Sequence, residues 1–264
     1  MSELDKKYNK ANVDIVISDL KKGGITNLFL ISGILGTIQK ETGFKLRPED
    51  SYKNTSVSRI RFAFGSRVSS LSDQQIEVLK KDDYKFFEKV YGKDTKMGKN
   101  LGNVNEGDGY KYRGRGFNGL TGRANYKEQQ RITGLDLVNN PDLLNDPKNA
   151  SKVLTSFYID TINKGSKSGR LKLSTGVEST AIDTLKKGVK VAVLTTAGFP
   201  KNYENVPLLV EGMEKAESYA PDFLAYVSDT GTIIPEKKNI INYILLGVGI
   251  GILVLVSKRF ISLK

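Results

Sequence analysis

The sequence predicts a mainly α-helical protein with one large domain and a single membrane helix at its C-terminus. Apolar residues recur at three- and four-residue steps through most of the chain before residue 220, which is the period of a helix. A glycine-dense segment between Gly92 and Gly122 interrupts this pattern, and the run Ile240–Val256 carries no charge. A chain of 264 residues is long enough for one domain with a core and a cleft. We expect a globular domain over residues 1–225, a linker over 226–239, a transmembrane helix over 240–257 and a basic tail over 258–264.

Within the domain, caps and breakers indicate where the helices begin and end. A short amphipathic helix is expected to stop at Gly23-Gly24, and the apolar stretch Ile25–Gln39 is too short to span a membrane, so it predicts a buried core helix. Asn140-Pro141 and Asp146-Pro147 mark two further helix starts. The remaining expectations are helices over 71–92, from about 124, Ala150–Ile162, Ala181–Thr196 and Tyr203–Tyr219, a Lys/Ser/Gly linker over 164–176, and an ordered loop or short hairpin over 92–122.

The C-terminal segment has the composition of a membrane span. Ile240–Val256 is at the short end of the spanning range, and the flanking lysines and Arg259 can extend it by snorkelling. A buried C-terminal helix and an interfacial helix are the alternatives. Basic residues at both ends leave the orientation open, and Gly247 and Gly251 form a Gly-x-x-x-Gly pair that could bring two such helices together in a homodimer.

Composition excludes several kinds of chemistry. The chain has no cysteine and no histidine, which removes disulfides, thiolate nucleophiles, Cys/His zinc sites and imidazole triads. We expect no metal and no cofactor. A net charge of +12 favours polyanionic partners such as anionic lipid or cell-wall polymers. Nucleic acid is not expected, because no binding motif accompanies the charge. No cleaved secretory signal is expected at the N-terminus.

Acid and base catalysis would therefore fall to carboxyl groups. Glu41 ends the apolar core helix, a position that predicts a desolvated carboxyl able to keep a proton near neutrality. Glu49 and Asp50 follow in a polar stretch, where a carboxylate would stay ionised. Two carboxyls in unlike environments are the working parts of glycoside hydrolysis. Pairs of surface carboxylates are common in any protein, so the pair alone decides nothing.

The glycine-dense segment gives a far more specific indication of function than the pair of carboxyl groups does. Its run Gly107–Tyr126, GDGYKYRGRGFNGLTGRANY, closely resembles the signature of glycoside hydrolase family 19, the chitinases and related phage and bacterial endolysins. Upstream, Glu41-Thr42-Gly43-Phe44 is similar to the segment around that family's catalytic acid, and Asn140-Pro141-Asp142-Leu143 is similar to the stretch that follows the signature. The resemblance covers roughly residues 12–220 and implies a lysozyme-like α-helical (α+β) catalytic domain.

The resemblance also implies residue roles. Glu41 becomes the general acid and Glu49 the general base of an inverting hydrolysis, with the two carboxyls about 6.5–9.5 Å apart. Thr121 and Asn125 occupy positions that help hold water and substrate, and Asp50 is the alternative base. The other substrate-binding candidates are Tyr110, Tyr112, Arg113, Arg115, Asn118 and Tyr126.

The chemistry of these side chains is compatible with the roles that the resemblance implies. Arg113 and Arg115 could pair with acidic residues and hold the catalytic carboxylates in place, and nearby glycines would let the backbone approach a sugar chain. Each tyrosine could stack on a pyranose ring or pack in the core. Three departures from the family pattern weaken the assignment: Lys40 replaces the usual His, Gly119 replaces the usual Gln, and a single glycine follows Thr42.

The expected function is a membrane-anchored enzyme that cuts β-1,4 bonds in peptidoglycan glycan strands. The anchor would place it in the internal membrane of a lipid-containing virion or in a bacterial inner membrane. The alternatives are a catalytically inactive wall-binding or structural membrane protein of the same fold, which Lys40 and Gly119 would suit, and a chitinase.

Overall fold

A computed structural model of the chain describes residues 7–167, 182–198 and 202–229. These residues are mainly helical, as predicted. Short 3-10 helices cover Gly65–Arg67, Pro141–Asn145 and Tyr203–Asn205. The α-helices are α1 (Lys10–Lys22), α2 (Leu28–Glu41), α3 (Val57–Phe64), α4 (Asp73–Leu79), α5 (Asp83–Tyr91), α6 (Lys96–Asn100), α7 (Asp108–Lys111), α8 (Arg123–Thr133), α9 (Pro147–Lys167), α10 (Leu185–Thr196) and α11 (Pro207–Asp229).

Several predicted helix ends are confirmed by their caps. Helix α1 stops at Gly23, as predicted. Helix α2 starts later than the predicted Ile25, because the Asn27 side chain caps it by accepting a hydrogen bond from the backbone N–H of Leu30 at 3.0 Å. Helix α9 starts at Pro147, where the Asp146 carboxylate accepts from the backbone N–H groups of the first turn. The end of α1 and the start of α9 could be predicted because a glycine stop and an Asp-Pro start are local features of the sequence.

Other predicted boundaries are wrong. The stretch 71–92 forms two helices instead of one, because Asp82 caps the start of α5 by accepting from the Lys85 N–H at 3.1 Å. Helix α9 continues to Lys167, into the segment predicted as a linker. The helix predicted over Tyr203–Tyr219 begins at Pro207, after a 3-10 turn. It continues to Asp229, beyond the expected end of the domain at residue 225, because Val227 is still buried against the core.

The predicted core helix is confirmed and lies at the centre of the fold. Residues Leu30 to Ile38 of α2 are all buried, and α10 and α11 pack along it. A separate cluster of buried aromatic and aliphatic side chains joins α3, α4 and α5. The segment after α2 and the glycine-rich loop lie beside this smaller cluster, and together they form the site described below.

Glycines let the backbone of α2 come into direct contact with the backbones of α10 and α11. A Cβ added to Gly33 would lie 2.5 Å from both the carbonyl carbon and the carbonyl oxygen of Gly188 in α10. One added to Gly36 would lie 2.5 Å from the carbonyl oxygen of Ala216 in α11. Neither contact involves a flexible side chain, so the helices themselves would have to separate to admit a methyl group.

We expect Gly33→Ala to destabilise the domain. Forcing the helices apart should cost about 3 kcal/mol, while the better helix propensity of alanine returns about 1 kcal/mol, so the net loss is about 2 kcal/mol. Urea unfolding followed by circular dichroism measures it. Ser218→Ala, at an exposed position on α11, is the control and should stay within about 0.5 kcal/mol of wild type. A Gly33→Ala protein as stable as wild type would show that the helices do not meet at this glycine.

None of the helices in the described ranges combines the length and the apolar character that a membrane crossing requires. The expected linker beyond residue 229, the transmembrane helix over 240–257 with Gly247 and Gly251, and the basic tail lie outside the residues that the structure describes.

Candidate active site

A cleft of about 430 Å³ lies between the C-terminal end of α2, the segment Lys45–Tyr52 and the glycine-rich loop. Both predicted catalytic carboxyls, Glu41 and Glu49, line it, and so does Asp50. The loop side of the cleft consists of Gly114, Arg115, Gly116, Gly119 and Thr121. The tertiary structure thus brings together the two sequence segments that carried the family resemblance.

Glu49 is held against the loop by backbone and side-chain contacts. Its N–H donates to the carbonyl oxygen of Gly114 at 2.7 Å, and its Oε2 accepts from the Gly114 N–H at 3.4 Å. Its Oε1 accepts from the Tyr52 hydroxyl at 2.8 Å. These contacts fix the carboxyl group in one orientation at the cleft wall.

The surroundings of Glu49 favour its protonated form more than water does. Burial raises the pKa of the Glu49 carboxyl, whereas the Tyr52 and Gly114 hydrogen bonds and the charges of Arg67 and Arg113 act in the opposite direction and only partly offset it. The pKa of Tyr52 is itself raised, by burial and by the neighbouring Glu49, so its hydroxyl remains a donor. Glu49 is therefore a carboxylate of increased basicity.

The expected environments of the two carboxyls are reversed. Glu41 was predicted to be desolvated, but its side chain is 37% exposed and its Oε1 accepts from Lys40 Nζ at 2.6 Å. The reason is that the buried part of α2 ends at Ile38, so the last turn projects to the cleft rim. Glu49 was predicted to be solvated by polar neighbours, but Tyr52 and the loop backbone cover it.

The missing side chain of Gly114 leaves a notch between two oxygen atoms. A Cβ built on this buried glycine would lie 3.4 Å from Glu49 Oε2 and 3.4 Å from Thr121 Oγ1. A water oxygen cannot occupy the Cβ position itself, which lies one bond length from the Gly114 Cα, but the absence of a methyl group there leaves the cleft side of Glu49 and Thr121 open to a water molecule. The Thr121 hydroxyl itself donates to the Gly119 carbonyl at 2.8 Å, which leaves its lone pairs available to such a water.

The other polar candidates of the loop differ in position. Asn125 is exposed on α8 and donates from its Nδ2 to the Thr121 carbonyl at 2.7 Å, so it supports the loop rather than lining the cleft. Asn118 is half-buried, and its Oδ1 has no hydrogen-bond partner among the described residues. Gly119 adopts a φ of +60°, a conformation that suits glycine far better than the glutamine typical of the family, and open space lies where its side chain would point.

The loop arginines do not bind the catalytic carboxyls directly. Arg115 is buried and pairs through its Nε with Asp142 at 2.8 Å, while its Nη1 donates to the Lys111 carbonyl at 2.7 Å. The Arg113 Nη1 donates to the Tyr110 carbonyl at 2.7 Å, and its guanidinium lies over the Tyr110 ring. The expectation that they clamp the carboxylates is therefore wrong for Arg115, whereas Arg113 acts on Glu49 through its charge.

Two of the three tyrosines belong to the core. Tyr112 and Tyr126 are 1% and 0% exposed, and their ring centroids lie 5.2 Å apart. Tyr112 donates to the Val138 carbonyl, and Tyr126 to the Arg113 carbonyl. Neither offers a surface to a sugar ring, so both are corrected to structural residues. Tyr110 is half-buried under Arg113 and does not line the cleft.

Sequence reasoning assigned no role to the residues that support Glu49 from the smaller cluster. Tyr52 stacks on Phe86 and donates to Glu49, and Arg67 lies over the rings of Phe64 and Tyr91 while its charge acts on Glu49. The available signal for Tyr52 was its position three residues after Glu49, within the stretch that resembles the family. Nothing in the sequence placed Arg67 near the site, because the contact depends on how α3 and α5 pack.

The fold and site define a mainly α-helical protein with a cleft that Glu41, Glu49 and Asp50 line. Among the described residues, no cluster of three or more acidic side chains is arranged to hold a metal ion. No model of a known protein family matches the chain, and no curated protein sequence shows significant similarity to it. The functional assignment therefore depends on the signature residues and on the geometry of the cleft.

Proposed function

We propose that this protein is a membrane-anchored glycoside hydrolase with a lysozyme-like, family 19-related domain that cuts β-1,4 bonds in peptidoglycan by inversion. The observation that carries the proposal is the notch at Gly114, which lies between Glu49 Oε2 and Thr121 Oγ1 in the same cleft as Glu41. A carboxylate that is open to a water molecule of the cleft, with a second carboxyl lining the same cleft, is what an inverting attack by water requires.

In the proposed reaction, Glu49 removes a proton from a water molecule in the notch while the water oxygen attacks the anomeric carbon. The bond from that carbon to the leaving oxygen breaks, and Glu41 donates its proton to the leaving oxygen. Burial makes Glu49 a stronger base. Lys40 stabilises the carboxylate that Glu41 becomes after donating its proton, which gives a role to the residue that replaces the usual histidine.

The membrane part of the proposal rests on the sequence of residues 240–257. A charge-free segment with basic flanks at the end of a wall-cutting enzyme would hold the cleft close to a bilayer and limit its reach to nearby glycan strands. This arrangement suits local opening of the wall, either from a lipid-containing virion or from a bacterial inner membrane.

A wall-binding protein without activity is the second candidate. The ion pair between Lys40 and Glu41 favours it, because a general acid must carry a proton in the resting enzyme. A chitinase, the third candidate, would share the whole mechanism and differ only in the substituents of the sugars that the cleft accepts.

Mass spectrometry of fragments released from purified peptidoglycan tests the proposal. We expect the full-length protein in detergent micelles to release soluble glycan fragments with a single type of new reducing end, and proton NMR to show that the first product is the α-anomer. Glu41→Gln is the matched inactive control. Release of N-acetylglucosamine oligomers from chitin but not from walls would indicate a chitinase. Binding to walls without release by the wild-type protein would indicate the inactive alternative.

A further inference from the structure

A strained turn follows α2 at the edge of the cleft. Gly43 and Phe44 both adopt a φ of +58°, and Phe44 is one of two non-glycine residues with a positive φ in the described part of the chain. A bulky residue in this region is disfavoured by contact of its Cβ with the backbone, and such strain persists only where the surroundings impose it.

Here, the positive φ of Phe44 is imposed by the packing of its side chain in the core. The Phe44 ring is fully buried and lies 5.9 Å from the Phe117 ring and 5.8 Å from the Phe223 ring, measured between centroids. The Phe44 carbonyl accepts from the buried Asn12 Nδ2 at 3.0 Å. The turn is therefore locked, and the residue that follows it, Lys45, lines the cleft with an exposed side chain.

Lys45 differs from the other cations around the cleft. Lys40 pairs with Glu41 at 2.6 Å, Arg47 with Asp50 at 2.7 Å and Arg115 with Asp142 at 2.8 Å. No ion pair joins Lys45 to a carboxylate of residues 7–167, 182–198 or 202–229. Its ammonium group is thus available to an anion that enters the cleft.

We propose that Lys45 is a specificity-determining residue that binds a carboxylate carried by the glycan, on a lactyl ether or an attached peptide, and so selects peptidoglycan over neutral chitin. This inference rests on the proposed function, because it assumes that a glycan occupies the cleft. An ammonium carried by a fixed backbone position attracts an anionic substituent and gives nothing to a neutral N-acetylglucosamine oligomer.

Steady-state kinetics of Lys45→Met, Lys45→Arg and Lys53→Met test the inference. Lys53 is an exposed lysine that does not line the cleft, so its methionine variant has the same net charge as Lys45→Met. On soluble, phosphate-free peptidoglycan fragments, we expect Lys45→Met to lower kcat/KM about fivefold, mainly through KM, while Lys45→Arg and Lys53→Met stay near wild type. On N-acetylglucosamine oligomers, and on fragments whose carboxylates have been converted to methylamides, Lys45→Met and wild type should be equal.

Equal losses on acidic and neutral substrates would overturn the inference, because Lys45 would then act through structure. A loss that occurs only on walls that retain phosphate polymers would also overturn it, because the anion recognised would be a phosphate. If wild type hydrolyses no substrate, the proposed function fails. The role of Lys45 is then tested by calorimetric binding of acidic and methylamidated fragments. Equal affinity of wild type and Lys45→Met for the acidic fragments would reject that role.

Discussion

Glu49→Gln is expected to lower the rate of peptidoglycan hydrolysis about 1,000-fold, because the water in the notch would lose the group that removes its proton. The substitution keeps the shape of the side chain and leaves an oxygen to accept from the Tyr52 hydroxyl, so the fold should be retained. Turbidity loss of purified walls gives the rate. Asp50→Asn, on the neighbouring exposed carboxylate that pairs with Arg47, is the matched control and should stay near wild type. If Asp50→Asn is inactive and Glu49→Gln is active, Asp50 is the base.

The pH dependence gives a second readout of the same residue. Burial raises the pKa of Glu49, and a base must be ionised to act, so kcat/KM should rise with pH through a midpoint above the ordinary glutamate value of about 4.3. A raised pKa in the folded state also means that the contribution of Glu49 to stability is complete at low pH and is lost as pH rises through the raised value. The melting temperature of Glu49→Gln relative to wild type should therefore increase with pH over that range, and a constant difference would contradict the desolvation.

Gly114→Ala is expected to lower hydrolysis about 100-fold while leaving the fold intact. The new methyl group would lie 3.4 Å from Glu49 Oε2 and from Thr121 Oγ1, so it would fit in ordinary contact but hinder the approach of the attacking water to these oxygens. The φ of Gly114 is not positive, so alanine brings no backbone strain. Wall turbidity and thermal melting measured on the same preparations separate the two effects.

Thr121 provides the companion variants for this experiment. Thr121→Val removes the hydroxyl at the notch and should also slow hydrolysis, whereas Thr121→Ser keeps it and should remain active. A Gly114→Ala protein with the activity and melting temperature of wild type would show that no catalytic water uses the notch.

Local signals in the sequence were sufficient for much of the fold. The core helix α2, the glycine stop of α1 and the proline start of α9 were predicted because each depends on hydrophobic period or on a capping residue within a few positions. The failures at 71–92 and at the end of α11 have a different origin. In 71–92, a capping residue inside an apolar run divided the stretch into two helices. In α11, packing against residues that are distant in sequence decided where the helix ended.

The same division applies to the candidate site. The sequence by itself determined which residue types were available for chemistry, and its resemblance to a known family indicated Glu41, Glu49 and Thr121, which all line one cleft. Only the tertiary structure decided that Glu49 is the desolvated carboxyl, that Glu41 is exposed beside Lys40, and that Tyr112 and Tyr126 are core residues. Motifs record which side chains are present, whereas desolvation depends on which distant segments cover a group, and that is settled only when the chain packs.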